Sequence, residues 1–130
     1  MNNNYLFAYG TLRKEFLSDA VGKLKDGLVF TGLGKIKAVL YDLGSYPAAV
    51  KAGDANEITG DVILVKDAEQ TFATLDEYEG NEYKREQVLV QLENDNEITA
   101  WVYWYIKTAE GKPKILCNDY LKYLRNKSLV

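Results

Sequence analysis

The sequence predicts an α+β or barrel-like arrangement in one domain, residues 1–130, on three observations. Strand-like segments outnumber helical ones, and their order lacks the regular strand–helix alternation of a doubly wound parallel sheet. Ten tyrosines and two tryptophans favour pleated, half-buried surfaces. At 130 residues and 47% hydrophobic, the chain can bury roughly two-thirds of its unfolded surface without metal or disulfide staples.

A first strand is expected over residues 4–9, with Tyr5, Phe7 and Tyr9 on one face and Gly10 ending it. Residues 12–26 are polar and irregular, with room for a short helix near Arg13–Leu17. Further strands are expected at about 28–31, 35–42, 47–50, 57–65, 86–93 and 97–106. Turn-forming residues separate them: Gly32-Leu33-Gly34, Gly44-Ser45-Tyr46-Pro47 and Asn94-Asp95-Asn96. In the last strand Trp101, Tyr103 and Tyr105 oppose Val102, Trp104 and Ile106, so both faces should be covered, as packing aromatics rather than a cofactor box. One helix is well marked. Asp67 with Gln70 forms a capping-box variant, Gly80 sits where a helix would end, and Ala68, Phe72, Leu75 and Tyr78 fall near one stripe. A second helix is expected from about Asn118, packing through Tyr120, Leu121 and Leu124.

Composition narrows the chemistry. Sixteen basic against nineteen acidic residues leave a net charge of −3, without the basic excess that nucleic-acid binding draws on. Lys23, Lys25, Lys35 and Lys37 read as solvated loop and strand-face residues rather than a phosphate patch. No run approaches the roughly 20 apolar residues of a membrane span, and the N-terminal residues do not read as a signal peptide, so a cytoplasmic protein without membrane partners is expected. The lone Cys117, among Ile115, Leu116, Tyr120 and Leu121, is expected to be a buried or half-buried thiol. Histidine is absent. Single-chain Ser-His-Asp, Cys-His and His-based zinc sites are thereby excluded, and acid–base chemistry near neutral pH falls to carboxylate, lysine, tyrosine or the one cysteine. No metal or organic cofactor is expected.

Two segments could carry chemistry. Tyr9-Gly10-Thr11-Leu12 ends a strand abruptly. It is either a plain turn or a nest whose backbone N–H groups point into one concavity and hold a carboxylate or oxyanion. Leu75-Asp76-Glu77-Tyr78-Glu79-Gly80, followed by Tyr83 and Arg85, is either solvated charge at a helix end or a site for a base. Glu79 falls in the last half-turn of the expected helix, where the dipole disfavours negative charge; partial burial there would raise its pKa toward that of a neutral-pH base. Glu77, two residues away, should face solvent, and Asp76 could orient a backbone amide or pair with Arg85.

Tyr-Gly-Thr-Leu-Arg at 9–13, Gly-Ser-Tyr-Pro-Ala at 44–48 and Leu-Asp-x-Tyr-Glu-Gly-x-x-Tyr-x-Arg at 75–85 resemble, in this order and spacing, the γ-glutamylcyclotransferase-like superfamily. The likeness is to its short branch of γ-glutamylamine cyclotransferases and avirulence-induced-gene-like proteins, and runs from about Tyr5 to Ile106. It implies a compact mixed β-barrel with flanking helices. It also implies a cavity between the first loop and the acidic motif, and a small γ-glutamyl substrate held by the backbone of Tyr9, Gly10, Thr11 and Leu12. Glu79 matches the family's catalytic glutamate; Tyr83 and Arg85 match the Tyr-x-Arg that follows, as substrate-binding or supporting residues. Longer glutathione-pathway members read Tyr-Gly-Ser-Asn where Leu12-Arg13 stands here, which argues against glutathione-derived substrates. The expected reaction is attack by the substrate's own α-amine on its γ-carbonyl, releasing 5-oxoproline and an amine, with Glu79 as general acid and base. A non-catalytic protein binding a small acidic metabolite in the same pocket is the alternative, ahead of an unrelated amide hydrolase or interaction domain.

Overall fold

The computed structural model describes residues 4–10, 27–44, 47–51, 56–109, 111–115, 117 and 119–128, with side chains at all of these but 78 and 126–128. In chain order the elements are β1 (Tyr5–Ala8), β2 (Leu28–Asp42), β3 (Pro47–Lys51), β4 (Glu57–Val65), α1 (Ala68–Glu79), β5 (Tyr83–Leu92), β6 (Glu97–Tyr105), β7 (Lys114–Ile115) and α2 (Tyr120–Ser128). The expected short helix near Arg13–Leu17 and the side chain of Tyr78 lie outside the described residues.

Strands β2, β4, β1, β6 and β5 pair in that order, and β5 returns to β2 through Gly34 opposite Leu92 and Lys35 opposite Gln91. The result is the mixed α+β barrel that the resemblance implies. The β1–β6 pair, registered at Leu6 and Trp101, is parallel, and the other pairs are antiparallel. The far half of β2 leaves the barrel and pairs with β3 and β7.

Strand alternation divides the apolar residues into two cores. Phe7, Tyr9, Ile36, Val62, Val90, Val102 and Trp104 fill the barrel. Leu6, Ala8, Ile63, Val65 and Tyr103 face outward, and α1 covers them with Phe72 and Leu75. Strand β6 is therefore covered on both faces, as its sequence predicts, although Ile106 just beyond its end is exposed. Lys35 and Lys37 lie on the solvent side of β2, in step with buried Ile36 and Ala38.

Three local expectations are corrected. Gly32-Leu33-Gly34 is not a turn, and 28–31 and 35–42 are one strand. Its register against β4 shifts between Phe30 and Gly32, and the extra residue, Thr31, donates its hydroxyl to the Val62 carbonyl at 3.0 Å. A bulge of this kind bends a strand, as a small barrel needs. Asp67 does not form the expected capping box: it is left-handed, φ 48° and ψ 52°, and makes no side-chain cap bond, because a capping carboxylate needs an extended backbone to reach the first-turn amides. Thr71 instead donates its hydroxyl to the Lys66 carbonyl at 3.1 Å. Cys117 is exposed, because the buried positions around it are taken by Ile115 and Tyr120. At the start of α2 the cap is Asp119, whose Oδ1 accepts from the amides of Leu121 and Lys122. Tyr120 is buried and Leu124 packs on the barrel core, as expected. No helix is long and apolar enough to cross a membrane among the described residues.

Gly60 marks a close approach. A Cβ there would stand 2.5 Å from the Ala8 carbonyl oxygen and 2.7 Å from Phe7 Cζ, so neighbouring backbone would have to move. Gly60→Ala should lower the unfolding free energy by about 1–3 kcal/mol in urea titration. Gly27→Ala, with nothing nearer than 3.7 Å, is the control, and equal midpoints for the two variants would contradict the packing described.

Candidate functional site

One end of the barrel gathers the ends of β1 and β6, the starts of β3 and β5 and the C-terminus of α1. β1 directs Tyr9 inward, where it is buried. Its hydroxyl donates to the Tyr103 carbonyl and accepts from the Ala49 amide, which ties β1 to β6 and β3. Gly10 follows in contact with Pro47; a Cβ on Gly10 would lie 2.6 Å from the proline Cγ, so the chain turns here only without a side chain. The Pro47 carbonyl accepts the Tyr83 hydroxyl at 3.0 Å, and the Tyr83 ring lies 5.5 Å from that of Tyr105. The structure thus brings Tyr9, Gly10 and Tyr83 together around Pro47. Thr11 and Leu12, and Ser45-Tyr46 of the second motif, lie outside the described residues.

Glu79 is the last residue of α1. Gly80 then takes φ 78°, a conformation that favours glycine, and its amide reaches back to the Asp76 carbonyl at 3.1 Å. Glu79 is half-buried, and removal from water pushes its carboxyl from the ordinary 4.5 to about 7. Its charge also reaches the phenols around it. Tyr9 is pushed well up, first by burial and then by the Tyr83 and Glu79 charges. Tyr103 is raised by burial, by its hydrogen bond and proximity to Asp76, and by Glu79. Glu77 is exposed, as its place on the helix requires.

Asp76 pairs with Arg85, one of the two roles its sequence position left open. Arg85 donates from Nε to Oδ1 at 2.8 Å and from Nη2 to Oδ2 at 3.1 Å, a bidentate bond, and Tyr103 donates its hydroxyl to Oδ1 at 2.8 Å. Burial pushes the Asp76 carboxyl up, but these hydrogen bonds and the Arg85 charge outweigh it and hold the group below its ordinary value. The Arg85 guanidinium lies 4.6 Å from the Phe72 ring centre and 4.4 Å from that of Trp101. Its geometry therefore joins α1 to β5 and β6. A recess of about 420 Å³ opens beside this cluster, lined by Gly80, Asn81, Tyr83, Arg85, Tyr103 and Ile106 among others.

A second polar cluster stands behind the β2–β3 connection. Buried Asp42 accepts the Tyr123 hydroxyl at 2.6 Å and the Gly44 amide at 2.7 Å, and that bond to its carboxylate is the main reason the Tyr123 phenol is pushed up to about 12. Among the described residues no three His, Cys, Asp or Glu side chains group as metal ligands. Two contributors are missed by the motif reading: Tyr103, taken only as a packing aromatic, and the main chain at Pro47 and Ala49. A buried tyrosine normally finds a partner for its hydroxyl, which is the signal that could have singled out Tyr103. Main-chain contacts leave no residue signature.

Comparison with known proteins agrees with the fold of this barrel, in which a helix-end glutamate lies within electrostatic reach of Tyr9. The family described as gamma-glutamyl cyclotransferase, AIG2-like, matches residues 6–122. A Methanocaldococcus jannaschii protein named "Putative gamma-glutamylcyclotransferase" is 32% identical over 103 residues, 78% of this chain and 83% of that protein. The crystal structure of an uncharacterized Pyrococcus horikoshii protein superposes with a TM-score of 0.71 at 25% identity, covering 95% of this chain and 94% of that one. That of an AIG2-like protein from Mus musculus gives 0.72 at 22% identity, with 88% and 87% covered, and shares the fold. The chain belongs to the gamma-glutamyl cyclotransferase, AIG2-like family.

The raised Glu79 pKa links folding to pH. An acid whose pKa rises on folding favours the fold fully while protonated in both states, below the unfolded value of about 4.5; that contribution is lost as pH rises through about 7. Glu79→Gln removes the dependence. Relative to wild type the variant should gain up to about 3 kcal/mol between pH 4 and pH 8, read from urea midpoints at each pH. A wild-type-minus-variant difference that is flat with pH would contradict the desolvation of Glu79.

Proposed function

We propose that the protein is a γ-glutamylcyclotransferase in which Glu79 moves the proton and the backbone of Tyr9, Gly10, Thr11 and Leu12 holds the substrate's oxygens. The observation that carries this reading is a desolvated glutamate, poised near pH 7, at the helix end beside Tyr9 and its Gly10 turn.

A γ-glutamyl compound contains its own nucleophile. Its α-ammonium loses one proton to water to become an amine, which attacks the γ-carbonyl carbon and closes a five-membered ring. The attacking nitrogen then carries a surplus proton, which the Glu79 carboxylate takes. The carbonyl oxygen becomes an oxyanion, for which the amides of the 9–12 turn are the donors, worth about 10²–10³-fold in such sites. As the original γ-carbon–nitrogen bond breaks, the Glu79 acid returns its proton to the leaving nitrogen. The products are 5-oxoproline and an amine. A group with a pKa near 7 serves in both directions, contributing about 10²–10⁴-fold. Holding the substrate bent toward ring closure adds an entropic gain. No protein nucleophile is needed, in keeping with a chain that has no histidine and one cysteine. Tyr83 and Arg85 act as wall and support of the site.

The test is a panel of γ-glutamyl amines, γ-glutamyl amino acids and γ-glutamyl-ε-lysine, assayed for 5-oxoproline and for glutamate. Release of 5-oxoproline without glutamate is expected; glutamate alone would mean hydrolysis, and binding without turnover would mean a ligand-holding protein. On the best substrate, Glu79→Gln should lower kcat at least ~10²-fold with little change in KM, while Glu77→Gln stays near wild type. Equal losses in the two variants would replace a dedicated base with a diffuse charge effect.

A further inference from the structure

The C-terminal turn of α1 is held at two levels. Asp76, one turn before Glu79, receives three side-chain donors, two from Arg85 and one from the Tyr103 hydroxyl. Its main-chain carbonyl receives the Gly80 amide, immediately after Glu79. The guanidinium that makes two of those bonds lies against Phe72 of α1 and Trp101 of β6, so its own position is fixed by packing. Tyr103 also works at the other side of the site, because its carbonyl accepts the Tyr9 hydroxyl beside the Gly10 turn. One residue therefore ties the helix end that carries Glu79 to the strand end that carries the Tyr-Gly turn.

We propose that Tyr103, acting through Asp76 and Arg85, is a positioning residue that holds Glu79 against the Tyr9–Gly10 turn. The inference rests on the reading of Glu79 as the proton-transferring group. The titratable groups whose charge interacts with Glu79 are Tyr9, which follows β1, and Tyr103 of β6; Tyr83 of β5 lies beside Tyr9, and Asp76, one turn earlier on the same helix, is paired with the Arg85 charge. The Tyr9 and Tyr103 phenols are both pushed up, so the Glu79 carboxyl is governed by its removal from water. A helix end released from β6 lets water in, and proton transfer and ionisation should change together.

Tyr103→Phe keeps the ring and the carbonyl that Tyr9 uses and removes the hydroxyl, which donates to Asp76 and also bonds to the Arg85 side chain. It should lower kcat about 10-fold with KM within about 2-fold. In the substrate-free protein, ¹³C NMR of labelled glutamate, with the Glu79 carboxyl assigned by its loss in Glu79→Gln, should show its midpoint falling by at least about one pH unit. Arg85→Gln should show the same pair of changes, and Arg85→Lys, which keeps a charge opposite Asp76, should recover part of both. If Tyr103→Phe does not fold, Asp76→Asn is read by the same two measurements. A lowered Tm with kcat and the Glu79 midpoint both unchanged would overturn the proposal and leave Tyr103 a packing residue. A midpoint that moves in a protein releasing no 5-oxoproline would instead keep the positioning and reject the cyclotransferase reading.

Discussion

Barrel closure at Gly34 is the constraint on which the rest of the molecule depends. β2 must lie against β4 on one side and meet β5 on the other, and at the crossing a Cβ on residue 34 would stand 2.6 Å from Val90 Cγ1 and 2.8 Å from Val62 Cγ2. Only a bare backbone fits. The bulge at Thr31 bends the strand toward that crossing, and the remaining length of β2 runs on past the barrel to pair with β3. The site inherits its geometry from this path, because the extension carries the chain to Pro47, and Pro47 abuts Gly10 and accepts the Tyr83 hydroxyl.

The apolar cores then place the chemistry. Phe72 and Leu75 press α1 onto the outward face of β1, β4 and β6, which sets the axis of the helix. Hydrophobic packing alone tolerates sliding and rotation, whereas a bidentate Arg–carboxylate bond has fixed geometry. Asp76 and Arg85 supply that bond one turn before Glu79. The same acidic segment therefore holds two carboxyls with opposite behaviour. Asp76 is ringed by donors and kept ionised, while Glu79 is removed from water and made easy to protonate. Environments that drive neighbouring acids apart in this way are a common means of dividing structural from proton-transferring roles.

Much of this was legible in the residues, and the exceptions have physical reasons. Alternation in Tyr5–Tyr9 and Trp101–Tyr105 gave the faces of β1 and β6, because those strands are packed on both sides; Ile106, beyond the end of β6, is exposed and broke the pattern. The helix stop at Gly80 was legible because a left-handed position favours glycine. Gly32-Leu33-Gly34 misled because glycine marks a close approach within a strand as readily as it marks a turn. Asp67 misled because capping depends on backbone angles that composition does not encode. The short β7 strand was invisible, since a two-residue pairing has no period to detect. At the site, the place of Glu79 at the helix end followed from the helix stop, and pairing with Arg85 was one of two roles open to Asp76; the ties through Tyr103, Pro47 and Ala49 join distant segments by one tyrosine hydroxyl and by main-chain atoms.

One carboxyl and one strand-end turn are proposed to act on the same five-membered ring. A crystal structure with the product analogue 5-oxoproline tests it most directly. The ring is expected between the two, its N–H within hydrogen-bond distance of the Glu79 carboxylate and its ring carbonyl oxygen on backbone amides of residues 10–12. A ring seated elsewhere, with Glu79 turned to solvent and the turn empty, would contradict it.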